Sequence, residues 1–293
     1  MISNLITLSI DDFKMKYVEF SLRNNKLFIE NIDEEFFDDF ITLNDKETKI
    51  IFNLDSAFKE ILLRKKNIHK DISITLPSRY FYIVKLPYDI SMSNKKLNSY
   101  LKWELPIIYP EIKNQDVIVQ NIKMEGNYCL AIGIKRTIIN TIKKFVENSN
   151  LNLKLIENEH LSFNRFIKYY PKVDNSNYLI VYVGNNYFTL SYNTPTNMID
   201  FRMFNYDELS EIIEKTHNYY NENIKSNDLF VNLFITGNYV SDTFIKHFEA
   251  TNTFILRRLN PFDNIPYNPK LINSKLYTSK NYTFATNVAL TLS

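Results

Sequence analysis

The chain reads as a mixed α/β (α+β) protein of two related lobes. Each lobe opens on a three-stranded antiparallel meander, and a β-α-β-β-α module is inserted in the first half. Three observations predict this. Short apolar runs separated by polar turns occur at residues 4–30 and again at 177–206. Setting residue n beside n+173 lays LSIDDFKMKY over VYVGNNYFTL, so that Ile10 meets Val183, Asp11 meets Gly184, and Met15 and Tyr17 meet Phe188 and Leu190. This suggests an internal duplication, with a chance match between two hairpins as the rival account. Between the meanders, strand and helix patterns alternate over residues 72–150. A chain of 293 residues has room for such an arrangement. The expected domains are a first lobe of residues 1–71 and 151–176, a module of residues 72–150, and a second lobe of residues 177–293.

The elements follow in order. Residues 4–10, 15–22 and 26–30 are strand-like, parted by Asp11-Asp12 and Arg23-Asn24-Asn25. Residues 33–40 fit a helical turn or a strand. Apolar residues at 54, 57, 58, 61 and 62 space a helix over 54–66, with Asn53 or Asp55 as its cap. ISITLPSRYFYIVKLP is extended, its prolines bounding a strand at 79–86. Residues 93–105 carry Leu97, Tyr100, Leu101 and Glu104 on neighbouring turns, a helix closed by Pro106 and Pro110. Strands at 117–124 and 128–134 flank a Gly126-Asn127 turn, and a helix covers 137–148. A strand at 151–157, a helix at 161–169 ended by Pro171 and a polar joint at 175–177 lead to the second meander. After it come a helix at 206–221, a strand at 229–236, a turn at Gly237-Asn238, a helix at 240–249, a strand at 254–259 and a final helix at 282–292.

Composition narrows the function. The chain is 45% hydrophobic and 23% charged, ordinary for a soluble globular protein. A net charge of +2 singles out no partner, and Arg64-Lys65-Lys66 and Arg257-Arg258 are short enough to be solvated ends. Runs such as KNYTFATN and RFIKYY mix aromatics with lysine, but so many Tyr and Phe make core positions the simpler account, and no nucleic-acid partner is assigned. No secretory signal and no apolar run of roughly 20 residues is present, so a cytoplasmic protein without direct membrane insertion is expected. Cys129, in YCLAIGI, reads as a buried strand thiol. His69, His160, His217 and His247 lack ligand spacing, so no metal is assigned. Glu157 and Glu159 beside His160 read as a surface strand-to-helix junction rather than acid–base machinery. With only 4 glycines, any Gly-rich phosphate loop must be degenerate. No Gly-x-Ser-x-Gly elbow occurs.

Paired meanders around an inserted module resemble the actin-like ATPase fold, which is ribonuclease H-like in each lobe. More closely, the chain resembles the cytoplasmic actin-like PilM family of type IV pilus assembly. The residues that carry the likeness are ITLPSRYFYIVKLP, LKWELPIIYP with Trp103-Glu104 and Pro106 or Pro110, DVIVQNIKM, Gly237 after LFIT, Asn260-Pro261-Phe262 and ATNVALTLS. The chain also resembles uncharacterised bacterial proteins of this fold with no assigned activity. The resemblance implies a nucleotide site on three loops, the first an Asp-x-Gly-Ser turn whose carboxylate serves the metal-bound phosphate. Here Ser9 falls at the carboxylate and Asp11 at the glycine; Tyr182 replaces the second carboxylate, leaving Gly184 and Asn185; the adenosine loop is Gly237-Asn238. A carboxylate facing a polyphosphate at 4 Å costs roughly 1 kcal/mol in water and several in a cleft.

The expected protein is therefore a non-catalytic scaffold with a degenerate nucleotide cleft and no catalytic residue. The alternative is a conformational switch that keeps weak ATP and Mg binding. In the family, a cleft between the first lobe and the module holds a short peptide of a membrane-anchored partner. The resemblance thus implies a protein or peptide partner, with Tyr100 and Trp103 as aromatic anchors. Packing of Trp103 on its own sheet is the competing account.

Overall fold

The structure, a computed structural model, describes residues 4–24, 26–65, 69–113, 115–169, 176–224, 231–250, 254–258, 260–263 and 265–292. In chain order the elements are β1 (Asn4–Ile10), β2 (Lys14–Arg23), β3 (Lys26–Phe36), α1 (Glu47–Leu63), β4 (Asp71–Leu76), β5 (Phe81–Pro87), α2 (Asn94–Ile108), β6 (Val117–Lys123), β7 (Tyr128–Lys135), α3 (Arg136–Asn148) and β8 (Asn152–Asn158). There follow α4 (Glu159–Tyr169), β9 (Tyr178–Val183), β10 (Tyr187–Asn193), β11 (Met198–Asn205), α5 (Leu209–Asn223), β12 (Val231–Gly237), α6 (Asp242–Glu249), β13 (Phe254–Arg257), α7 (Lys275–Thr278) and α8 (Ala285–Ala289). The chain divides into two compact units, Met1–Tyr80 with Lys135–Phe166 and Asn260–Ser293, and Phe81–Ile134 with Ile167–Leu259.

The two units carry the same sheet. In the first the strand order is β3-β2-β1-β4-β8, and in the second β11-β10-β9-β12-β13. Ile10 pairs with Met15 as Val183 pairs with Phe188. The Asp11 N–H donates to Lys14 C=O at 3.0 Å, and the Gly184 N–H to Tyr187 C=O at 2.9 Å. Both second strands are bulged at the same place, between Glu19 and Phe20 and between Tyr192 and Asn193. The duplication is thus structural, down to the register. The second unit also holds a three-stranded sheet, β5-β7-β6, covered by α2.

The first sheet has two unlike faces, as its alternation requires. Ile6, Leu8, Ile10, Tyr17, Ile72 and Ile74 are buried on one. On that side Lys65, just beyond α1, lies over the Tyr17 ring, and Phe58 of α1 meets Phe145 of α3 edge-on at 5.8 Å. The opposite face combines buried Leu5, Val18 and Phe20 with one polar row. Glu34, Lys16, Ser9, Thr75 and Glu157 stand in one row across all five strands. The segment at 281–292 covers this row, with Asn287 Nδ2 donating to Thr7 C=O at 3.1 Å.

Several boundaries differ from expectation. Helix α1 starts at Glu47, because ETKIIF continues the apolar spacing with Ile50. Asn53 is therefore not a cap; it is buried mid-helix and donates to Lys49 C=O. Residues 78–80 form a 3-10 turn before β5. Pro106 does not close α2 but lies inside it, near its end, where only one backbone donor is forfeited. The Ser93 hydroxyl caps α2 by accepting from Lys96 N–H at 3.4 Å. The 282–292 helix is split between α8 and flanking 3-10 turns. Pro171, Asn175, residues 229–230 and Leu259 lie outside the described residues.

Candidate functional site

The first hairpin turn closes on itself. The Asp11 carboxylate accepts from the N–H groups of Phe13 and Lys14, each at 2.8 Å, which makes an Asx turn. Burial raises the Asp11 pKa, opposed by Lys16 and the same two amides. Ser9 does not reach the turn; it is buried in the polar row between Lys16 and Thr75. Asp12 is also buried, ion-paired with Arg79 and accepting from Tyr80 Oη at 2.9 Å, so it anchors the 3-10 turn to the hairpin. Both aspartates thus hold structure.

Beside the turn lies a buried cation. Lys16 donates from Nζ to Thr283 C=O at 2.9 Å and sits over the Phe284 ring at 5.4 Å. Burial, with Lys14 nearby, pushes its pKa down to about 7, against the pull of Asp11, Glu34 and Glu159. The junction of β8 and α4 is also interior, which corrects its reading as a surface. Glu159 is 4% exposed and accepts from Ser78 N–H at 2.9 Å, and His160 is fully buried, its pKa lowered by desolvation to about 3. Asn158 Oδ1 caps the helix, accepting from His160 and Leu161 N–H. Glu157 pairs with Arg165. The junction looked exposed in sequence because its charged letters hide their partners, Ser78 for the buried Glu159 and Arg165 for the half-buried Glu157.

Packing and backbone geometry account for glycine both in the second hairpin and at the end of β12. A Cβ on Gly184 would lie 2.2 Å from the Tyr187 ring. The Gly184 C=O accepts from Tyr206 Oη at 2.7 Å. Gly237 has φ +128° and pairs with Val183, so that a Cβ there would meet Val183 C=O at 2.1 Å. Gly184 and Gly237 thus stand at adjoining strand ends, with Asn185 and Asn238 half-buried beside them. Ser9 and Asp11 belong to the first unit and these four residues to the second. Among the described residues, no group of three or more His, Cys, Asp or Glu side chains is placed to hold a metal ion.

Helix α2 turns Leu97, Leu101 and Leu105 onto its sheet, where Cys129 and Ala131 lie in the same buried cluster. Trp103 is not part of that core. It is 66% exposed, with Ile107 one turn on at 56% and Tyr100 half-buried, which removes the account in which it packs on its own sheet. Sequence reading missed one feature altogether. A cavity of about 860 Å³ opens between β5 and β11, lined among others by Lys85, Tyr128, Tyr192, Asp200, Met203 and Tyr219. These residues come from separate elements and share no motif.

No protein-family model matches the chain, and no curated protein matches it by sequence. Solved structures do. A chain of the PilM-PilN type IV pilus biogenesis complex matches with a TM-score of 0.73 and 13% identity, over 100% of this chain and 98% of that one. A Bacteroides thetaiotaomicron protein with actin-like ATPase fold and unknown function matches at 0.59 and 11% identity, over 89% and 93% of the chains. The cytoplasmic domain of EpsL, an inner membrane component of the type II secretion system of Vibrio cholerae, matches at 0.53 and 10% identity, over 99% and 95%. The chain has the actin-like ATPase fold. None of the described helices is long and apolar enough to cross a membrane.

Proposed function

We propose that the protein is a non-catalytic, actin-fold scaffold that acts by binding another protein, in an assembly of the pilus or secretion type. The observation that carries the reading is the Asp11 carboxylate, which takes the two turn amides that a phosphate would need and adds negative charge in their place. The glycines of the other loops are accounted for by Tyr187 and Val183 rather than by a ligand. Serving a metal-bound phosphate would need a carboxylate at Ser9, which is a buried serine instead.

Binding is placed on the outer face of α2. Trp103 and Ile107 stand exposed on that face, beside a half-buried Tyr100 that packs on the core at its edge, and aromatic anchors of this kind dominate the energetics of protein interfaces. The similarity to a chain of a PilM-PilN complex and to the cytoplasmic domain of EpsL supports a partner within a membrane-associated machine. The test is affinity capture from the native cell with wild-type protein and Trp103→Ala, both checked for the same melting temperature. The reading expects a partner retained by the wild type and lost by the folded variant; equal retention would remove α2 as the binding face.

A further inference from the structure

We infer that the partner of α2 is an acidic amphipathic helix, one that sets apolar side chains on Trp103 and Ile107 and carboxylates on Lys95, Lys96 and Lys102. This deepens the reading of α2 as the binding face and rests on it.

The spacing in NKKLNSYLKWELPII decides which residues share a ridge. Leu97, Leu101 and Leu105 recur every four residues and are fully buried against the sheet. Lys95, Ser99, Trp103 and Ile107 recur in the same way, each two residues earlier or two later than a leucine, about 160° round the helix. All four are exposed, and exposed Lys96 and Lys102 flank them. The Ser99 hydroxyl donates back to Lys95 C=O at 3.0 Å, so a small residue with its hydroxyl already satisfied stands one turn before Trp103. A convex ridge of this kind fits the groove between the ridges of a second helix.

The charge on the ridge sets the sign of that helix. Lys49 of α1 meets Asp45 at 3.3 Å, and Lys215 of α5 meets Glu211 at 2.6 Å, each carboxylate four residues earlier. The residues four before Lys95, Lys96 and Lys102 are Ser91, Met92 and Asn98. The three ammonium groups accordingly have no partner among the described residues.

Neighbouring carboxylates do not cancel them. Glu104, the one acid of α2, lies on the flank beside Tyr100, whose pKa is raised by burial and by this charge. Asp89 accepts from Ser91 N–H at 2.8 Å, Glu111 stands by Tyr82 and Tyr109, and Asp116, just before β6, is already engaged. Exposed Lys113 and Lys123 add positive charge at the rim. The face thus presents three cations against one flanking carboxylate, with the positive end of the helix dipole beside Lys95 and Lys96. Such a surface repels a basic segment and draws in an acidic one. Lys95 and Lys96 lie about 11 Å along the axis from Trp103. The partner therefore carries carboxylates both beside its apolar contact, for Lys102, and two turns away.

The experiment titrates the full chain into a fluorescein-labelled peptide of four Leu-Glu-Glu-Leu repeats and reads polarisation, with four Leu-Lys-Lys-Leu repeats as the reverse-charge control. Saturable binding of the acidic peptide is expected. It should be about tenfold weaker for Trp103→Ala and for a triple variant with Lys95→Glu, Lys96→Glu and Lys102→Glu, each checked for an unchanged melting temperature. The triple variant should prefer the basic peptide. Wild-type affinity should also fall as NaCl rises from about 0.05 to 0.5 M, a readout that needs no variant to fold. Absence of saturable binding, equal binding of both peptides by the wild type, or an affinity that salt does not move overturns the proposal. So does binding to phosphatidylserine vesicles without binding to the acidic peptide, which would make the face a membrane contact. A native partner lost by Trp103→Ala but kept by the triple variant overturns the acidic helix and leaves α2 as the binding face. One kept by both variants removes the face itself.

Discussion

Replacing Lys16 by methionine should stabilise the protein, most of all below neutral pH. The side chain is 2% exposed, and burial holds its pKa near 7 against an ordinary 10.5. That difference corresponds to about 5 kcal/mol when the group is charged in the folded state. Methionine fills a similar volume without the charge, but it leaves Thr283 C=O without its 2.9 Å donor, a loss of about 1–3 kcal/mol. The net gain expected for Lys16→Met at pH 6 is therefore about 2–4 kcal/mol. The sign with pH follows from linkage. The folded pKa is depressed, so between about pH 7 and 10.5 the unfolded chain binds more protons, and wild-type stability rises with pH. The advantage of Lys16→Met should shrink by about 3 kcal/mol between pH 6 and 9.5. Urea denaturation of both proteins across that range measures it. A variant less stable than wild type at pH 6, or a difference flat with pH, would mean that burial of Lys16 costs the fold nothing.

Two further substitutions separate structure from site. Gly184→Ala should destabilise by about 1–3 kcal/mol, because its Cβ meets the Tyr187 ring; pairing it with Tyr187→Ala in denaturant melts should recover part of the loss, and simple additivity would argue against that contact. Trp103→Ala should change stability by no more than about 0.5 kcal/mol, whereas Leu101→Ala, in the core under the same helix, should cost about 2–5 kcal/mol. Equal losses in thermal or urea melts would return Trp103 to the core.

Much of this fold was legible because its signals are local. The 173-residue offset found in LSIDDFKMKY and VYVGNNYFTL reappears as matching hairpins with matching bulges. Turn chemistry at Asp11-Asp12 was equally readable, since an Asp in a tight turn favours its own amides. What escaped were features made by residues far apart in the chain. Ser78 and Arg165 decide that Glu159 and Glu157 are interior partners rather than surface charges. Nothing in the local sequence marks Lys16 as buried, and the covering 281–292 segment makes it so. The exposure of Trp103 depended on which stripe of α2 meets the sheet. Leu97, Leu101 and Leu105 take that place, and the tryptophan is left outside. The cavity beside β11 has no local signal, because its lining comes from elements far apart in the chain.

If the phosphate-binding shape persists here without its chemistry, isothermal titration with Mg·ATP will show it. With the Asp11 carboxylate seated on the Phe13 and Lys14 amides, no saturable heat is expected up to about 1 mM nucleotide, an affinity weaker than about 4 kcal/mol. Saturable binding with a micromolar dissociation constant would contradict it.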